Sequence, residues 1–272
     1  MADIQEPGND LIVARARAGD RAAMEALLVS VAPSIQRFAL RMCRNQADAE
    51  DVIQDALLSI ATNIERFEGR SSLPSWAFAL TRSACVRRRR GKKNEPAHDE
   101  DVLANRAADL PGPEDHAASN EARAMVGRAL DRLPDEYREV LLLRDVEGLT
   151  GAEAAVVLGL SLQALKSRLH RARAALRDQL RPELEADAVP RSPDCPDVVR
   201  ALSQKLEDEL DEAACAQMQE HVRGCAACAR ACDALKAALL ACRSATAAPT
   251  PEIRARVRSA VSSWLAARTR ST

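Results

Sequence analysis

Apolar side chains return every three or four positions through most of this 272-residue chain, and no segment alternates apolar and polar residues as a half-buried strand would. The pattern predicts an all-α fold. Asp10 to Ala18 and Arg21 to Cys43 read as helices parted near Gly19. Asp48 to Arg66 reads as a third, with Asp48, Glu50 and Asp51 at the positive end of its dipole. After the loop Glu68-Gly69-Arg70-Ser71-Ser72, Pro74 suits the first turn of a fourth helix running to about Arg90. Residues 94–119 lose the periodicity and are rich in Pro, Gly, Ala, Asp and Glu, the composition of a linker.

Periodicity resumes with helices over Glu121 to Arg132 and Asp135 to Val146, separated by Leu133-Pro134. Thr150-Gly151-Ala152-Glu153 has capping-box spacing and opens a helix to Leu158. Gly159-Leu160-Ser161 is a tight turn with Ser161 as N-cap of a long basic helix, which Pro182 stops near Leu180. Pro190, Pro193 and Pro196 mark a second boundary. Asp197 to Glu209, Ala213 to Val222 and Cys225 to Arg243 then read as helices, and the tail holds an amphipathic helix from Pro251 to Ala267.

The net charge of −1 hides an uneven distribution. Arg82 to Lys93 carries seven positive charges and no negative one, and Lys166 to Arg181 carries six against Asp178. Acidic residues gather between Asp48 and Asp55 and between Glu95 and Glu121. Separate basic stripes and acidic blocks suit simultaneous binding of a polyanion and a basic protein surface. No run of about 18 apolar residues and no basic-then-apolar leader is present, so the expectation is a cytoplasmic protein without a membrane partner.

Two helices joined by a Gly-containing turn, the second basic, form a DNA-binding arrangement. The leading face of the second carries Gln163, Lys166, Ser167 and His170. Gln163 can read adenine through two hydrogen bonds, and Lys166 can meet guanine or a phosphate. Arg168, Arg171 and Arg173 suit phosphates, which position a protein without specifying sequence.

Six of the eight cysteines fall between Cys195 and Cys242. Cys195 precedes His221 by 25 intervening residues, and His-x3-Cys-x2-Cys follows with Cys225 and Cys228. Cys-x2-Cys with a His just ahead is metal-ligand spacing, and Cys195 supplies a fourth ligand. Cys215, Cys232 and Cys242 exceed a four-ligand site; Cys215 and Cys232 are expected to adjust it, the behaviour of a sensor of a soft or borderline metal. None of the four histidines suggests a catalytic Cys–His pair, so no catalytic residue and no enzyme activity are expected.

Leu133-Pro134-Asp135-Glu136-Tyr137-Arg138, then Leu149-Thr150, then Lys166-Ser167-Arg168-Leu169-His170-Arg171-Ala172-Arg173 resembles the −35-binding domain of extracytoplasmic-function sigma factors. Asp48-Ala49-Glu50-Asp51-Val52-Ile53-Gln54-Asp55 resembles that family's polymerase-docking helix, which implies polymerase contacts for Asp48, Glu50, Asp51, Gln54 and Asp55. The resemblance further implies −10 contacts by Ser71 and Ser72 and by Trp76, with Arg82, Arg87 and Arg88 on phosphates; helical spacing favours core positions for Trp76 and Phe78. The cysteine module is similar to zinc-binding anti-sigma domains and to the CorE-type metal-responsive sigma factors.

The expected organisation is sigma domain 2 over 1–93, a linker over 94–120, sigma domain 4 over 121–185, a cysteine-rich metal-binding domain over 190–245 and a tail helix over 246–272. The expected function is promoter-specific initiation with RNA polymerase core and promoter DNA as partners and no separate anti-sigma factor. Metal occupancy is expected to let initiation proceed. Zinc is the expected metal, or another soft or borderline ion such as cadmium or copper; copper is the less favoured because the chain has no Cys-x-Cys pair. Two competing readings are a redox-sensitive zinc anti-sigma domain fused to the sigma factor and a helix-turn-helix regulator acting without polymerase.

Overall fold

The computed structural model describes residues 7–43, 45–91, 125–184, 192–243 and 251–269. The linker, Glu121, Pro190 and the side chain of Cys242 lie outside the described residues. Every regular element among the described residues is helical, and none of these helices is long and apolar enough to cross a membrane. The chain divides into two compact units, 1–99 with 246–272, and 100–245.

The first unit contains α1 (Pro7–Arg17), α2 (Arg21–Met42), α3 (Gln46–Asn63), α4 (Leu73–Gly91) and the tail helix (Pro251–Thr269). Asp20 starts α2 by accepting the amides of Ala22 and Ala23 at 2.9 and 3.1 Å. The Ala23 amide, then the Arg15 guanidinium, pulls its carboxyl below the ordinary range. α3 begins two residues before the predicted Asp48 because Asn45 accepts the Asp48 amide at 2.7 Å, which draws Gln46 and Ala47 into the first turn. Leu27, Leu28, Ile35 and Phe38 of α2 are buried, as are Val52, Leu57 and Ile60 of α3. Each large aliphatic group removed from water contributes roughly 1.5–3 kcal/mol, so a bundle with few aromatics still gains a stable core. Phe38 meets Phe78 of α4 with ring centroids 5.6 Å apart.

The second unit begins with α5 (125–131) and α6 (Asp135–Leu141), which widens into a π turn over Leu142–Val146. Arg138 fastens the intervening Leu133-Pro134 corner by donating to the carbonyls of Leu130, Asp131 and Leu133 at 2.7–2.9 Å. α7 (Gly151–Leu158) and α8 (Leu162–Leu184) follow. α8 continues past Pro182 to Leu184, so the proline, which loses the bond to the carbonyl four residues back, does not end the helix at Leu180 as expected. α9 (Val198–Leu206), α10 (Glu212–Gly224) and α11 (Ala226–Arg243) complete the unit around Val198, Val199, Leu202, Met218, Leu235 and Leu239. Ala174 of α8 packs against this same cluster, which joins the C-terminal helices to the basic helix.

Candidate nucleic-acid interface and metal centre

The helix-turn-helix forms through local signals. Thr150 Oγ1 accepts the Glu153 amide at 3.2 Å, and the Glu153 carboxylate accepts the Thr150 amide at 2.9 Å, a complete capping box. Gly159 ends α7 at φ +66°, a left-handed conformation that glycine adopts without steric cost. Ser161 Oγ then accepts the Ala164 amide at 3.1 Å and starts α8. A Cβ at Gly151 would lie 3.2 Å from Leu162 Cδ1, a close contact with an exposed side chain that has room to move. Leu165, Leu169, Ala172, Leu176 and Leu180 form the buried stripe of α8, which turns its basic side outward.

That basic side is only partly open. Gln163, Ser167 and Arg171 are exposed. Arg168 is half-buried and 3.8 Å from Glu136. Lys166 Nζ donates to Glu209 Oε1 at 2.7 Å. Arg173, expected from sequence on a phosphate, is internal and only 1% exposed. Its Nε and Nη2 donate to the two Asp145 oxygens at 3.0 and 2.6 Å, Nη2 also to Glu207 at 2.9 Å, and Nη1 to the Ser203 hydroxyl and carbonyl at 2.9 and 3.2 Å. All five guanidinium N–H groups thus have acceptors, the condition for a tolerable buried arginine. Burial works against its charge, but Asp145 and then Glu207 hold its pKa above the ordinary value. Glu207 also accepts from Arg144 Nε at 3.1 Å. Two arginines therefore face two carboxylates in a neutral cluster.

Glu207 and Glu209 reach α8 from the turn that ends α9. Asp208 between them has φ +56°, the left-handed region in which Asp is among the better-tolerated side chains. His170, half-buried on the same side, has its Nδ1 buried and without a hydrogen-bond partner. Burial pushes its imidazole below the ordinary range, against the opposing pull of Asp197.

Cys195, His221, Cys225 and Cys228 bring their ligand atoms within 4.8 Å of one another. Cys195 Sγ lies 3.9 Å from Cys225 Sγ, and His221 Nε2 lies 3.3 Å from Cys228 Sγ. A tetrahedral zinc with Zn–S of ~2.3 Å and Zn–N of ~2.05 Å needs edges of roughly 3.8 Å between sulfurs and roughly 3.6 Å between sulfur and nitrogen. The donor set and spacing fit such an ion. The Cys228 amide leads in drawing the Cys225 thiol below its ordinary pKa, which favours the thiolate that binds metal. α10 delivers His221 from its last turn, and the start of α11 delivers Cys225 and Cys228. Cys215 and Cys232 fall outside this group of ligand atoms. Cys232 is buried in the apolar cluster of the C-terminal helices, with Cys215 packed against it.

In the first unit, Asp48 is buried and accepts from Arg88 Nε at 2.8 Å, and Arg88 also pairs with Asp51. Two sequence candidates for different partners, Asp48 and Arg88, therefore meet each other. Asp48, then burial acting in opposition and Asp51 in support, sets the Arg88 pKa above its ordinary value. Asp51, Gln54 and Asp55 are exposed on α3, and Glu50 is half-covered. The Ser72 and Ser75 hydroxyls lie 2.9 Å apart at the start of α4, Ser71 is half-buried and Arg87 exposed. Trp76 packs on Phe67 with ring centroids 5.1 Å apart, and Arg82 is half-buried. Local spacing does not mark Arg144, Asp145, Ser203, Glu207, Glu209 or Arg256 as site residues. The run Glu207-Asp208-Glu209 beside a basic helix was the available signal for the acidic turn.

Comparison with known proteins places three family models on the chain: Sigma-70 region 2 on residues 27–95, Sigma-70 region 4 on 123–176, and a zinc-finger family on 195–229. The ECF RNA polymerase sigma factor EcfG of Rhodopseudomonas palustris is 32% identical over 149 residues, 55% of this chain and 80% of that protein. The ECF RNA polymerase sigma factor SigM of Mycobacterium tuberculosis (strain Erdman) is 34% identical over 174 residues, 63% of this chain and 84% of that one. A solved structure of CnrH in complex with the cytosolic domain of CnrY aligns with TM-score 0.48 and 24% identity, over 66% of this chain and 99% of that one.

Proposed function

The chain belongs to the ECF RNA polymerase sigma factors, and from that premise we propose that its promoter reading is controlled by metal at the fused C-terminal module. RNA polymerase core and promoter DNA are its partners in the cytoplasm. Gln163, Ser167 and Arg171 meet the −35 element first, with Lys166, Arg168 and His170 joining as they become free, while Arg173 stays inside with Asp145. Ser71, Ser72, Arg82 and Arg87 serve the −10 element, and Glu50, Asp51, Gln54 and Asp55 serve polymerase docking. Asp48 and Arg88 act one step back, by holding α3 to α4.

The observation that carries the control reading is the acidic turn. Glu209 occupies Lys166 as a phosphate would, and Glu207 ties the same turn to Arg144 and the buried Arg173, so DNA and the module compete for Lys166 and for this side of α8. A zinc ion bound by Cys195, His221, Cys225 and Cys228 supplies a crosslink between the segment before α9 and the α10–α11 corner. All four donors belong to the module that carries the acidic turn, so metal, by holding that module folded, favours the covered state. This sign is opposite to the sequence expectation that metal lets initiation proceed; the reversal follows from the donors and the acidic turn belonging to one packed module. The fused module brings this contact within one chain, so control is expected without an added anti-sigma factor.

A second reading has its own observation, the 3.9 Å approach of Cys195 and Cys225. Peroxide would take two electrons from this thiol pair, join the sulfurs, form water and dismantle the donor set. In-vitro transcription with core enzyme and the full chain tests both. Initiation should fall as zinc is added and return with chelator or peroxide. Transcription indifferent to zinc, chelator and peroxide would overturn both forms of control.

A further inference from the structure

The tail helix Pro251–Thr269 has no role in the reading above. Ile253, Val257, Ala260, Val261 and Trp264 are all buried and recur at three- and four-residue spacing, so one whole face of the helix is spent on packing. That face lies along α2 and α3. Arg256 binds Glu50 twice, donating from Nη1 to the Glu50 carbonyl and from Nη2 to its carboxylate, both at 2.9 Å. The charges are complementary at the start of α3, where Arg256 meets Glu50. α3 carries Asp48, Glu50, Asp51 and Asp55 with no Lys or Arg, whereas the tail helix carries four Arg against Glu252. The Sigma-70 region 2 match spans residues 27–95, so the tail helix is an addition outside the matched region that packs back on α2 and α3.

We propose that the tail helix is an intramolecular stand-in on the polymerase-docking side of α3: packed on α2 and α3, it holds Glu50 and so competes with polymerase core for that residue. The inference rests on the polymerase-docking reading of α3, since Glu50 is the residue the two occupants share. Arg256 takes Glu50 while Asp51, Gln54 and Asp55 stay exposed. An incoming basic surface can thus engage the exposed acids first and then displace the tail from Glu50. The covered bundle binds polymerase in proportion to the fraction of molecules whose tail is undocked, which lowers the apparent affinity by that fraction.

The test uses the full chain, zinc-loaded and labelled with 5-fluorotryptophan. The Trp264 resonance, told from Trp76 by the Trp76→Phe variant, reports tail docking. Affinity for purified core enzyme is measured in parallel. Val257→Asp with Val261→Asp places two carboxylates in the packed stripe and should move Trp264 to its solvent position. If the tail occupies even nine molecules in ten, core affinity should then rise about tenfold; Arg256→Glu should give a smaller rise. A released tail with unchanged core affinity overturns the stand-in, and a persisting loss of affinity in Asp51→Lys with Asp55→Lys would leave the docking reading standing. If neither the tail variants nor the Asp51 and Asp55 reversals alter core binding, the docking reading fails and the inference falls with it. A dimer that becomes monomeric on the Val257 and Val261 substitutions would show the tail docking on a second copy, and that too overturns an intramolecular stand-in.

Discussion

Neutralising the acidic turn, with Glu207→Gln and Glu209→Gln together, is expected to strengthen −35 DNA binding by the full chain. Glu207 has its side chain 6% exposed and faces Arg173, itself 1% exposed, together with Arg144 at 20%. Breaking a buried pair by removing one partner costs about 3–5 kcal/mol. Here Arg173 keeps both Asp145 oxygens, and the carboxamide introduced by Glu207→Gln keeps one acceptor oxygen, so about half of that, roughly 2 kcal/mol, is the reasonable share. The Lys166–Glu209 pair is partly solvated at 23% and 30% and adds under about 1 kcal/mol. A weakening of roughly 2–3 kcal/mol raises the uncovered fraction about 30- to 150-fold, at 1.4 kcal/mol per factor of ten. DNA affinity rises by the same factor until the uncovered state dominates. Fluorescence anisotropy with a labelled −35 duplex, at fixed salt and saturating zinc, measures it. Lys166→Ala in the same background should remove part of the gain. If the double variant binds DNA with wild-type affinity while its zinc content and melting temperature are unchanged, the turn does not compete with DNA and the reasoning is refuted.

Three other outcomes follow from the same geometry. Arg173→Ala strands the buried Asp145 carboxylate and should destabilise the second unit by about 3–5 kcal/mol in chemical unfolding, whereas Arg171→Ala, exposed, should leave stability within about 0.5 kcal/mol and weaken DNA binding evenly across sequences. Because burial sets the His170 imidazole below its ordinary 6.5, the unfolded chain takes up that proton first as pH falls; stability is full above about 6.5 and declines below it toward the depressed value. His170→Gln should flatten this part of the pH–stability profile, and an unaltered slope would refute the assignment. Zinc stoichiometry, measured by metal analysis of the purified chain, should stay at about one per chain in Cys215→Ser and Cys232→Ser and collapse in Cys225→Ser or Cys228→Ser; equal loss in all four would return the first two cysteines to the site.

What the sequence determined by itself is what short-range physics decides. The capping box at Thr150 and Glu153, the left-handed turn at Gly159 and the Ser161 cap involve groups within a few residues of one another, so spacing suffices to read them. His221, Cys225 and Cys228 are legible for the same reason: eight residues across one helix–helix corner can bring three donors to one ion. The amphipathic face of the tail helix is equally plain from its period.

Tertiary structure alone decided which of these groups face outward and what each one meets. Arg171 and Arg173 look alike on a basic helix, yet one is exposed and the other is buried among Asp145, Ser203 and Glu207, which lie 28 to 34 residues away along the chain. Asp48 reads as part of an acidic docking face until Arg88, 40 residues later, claims it. Cysteine counting cannot separate a ligand from a core thiol: Cys228 and Cys232 lie in the same apolar cluster, and of the two only Cys228 joins the donors that come within 4.8 Å of one another. The tail helix meets Glu50 across 206 residues of sequence. Periodicity and charge report what a segment offers; the low-dielectric interior, where an arginine persists only with its acceptors in place, settles what is accepted.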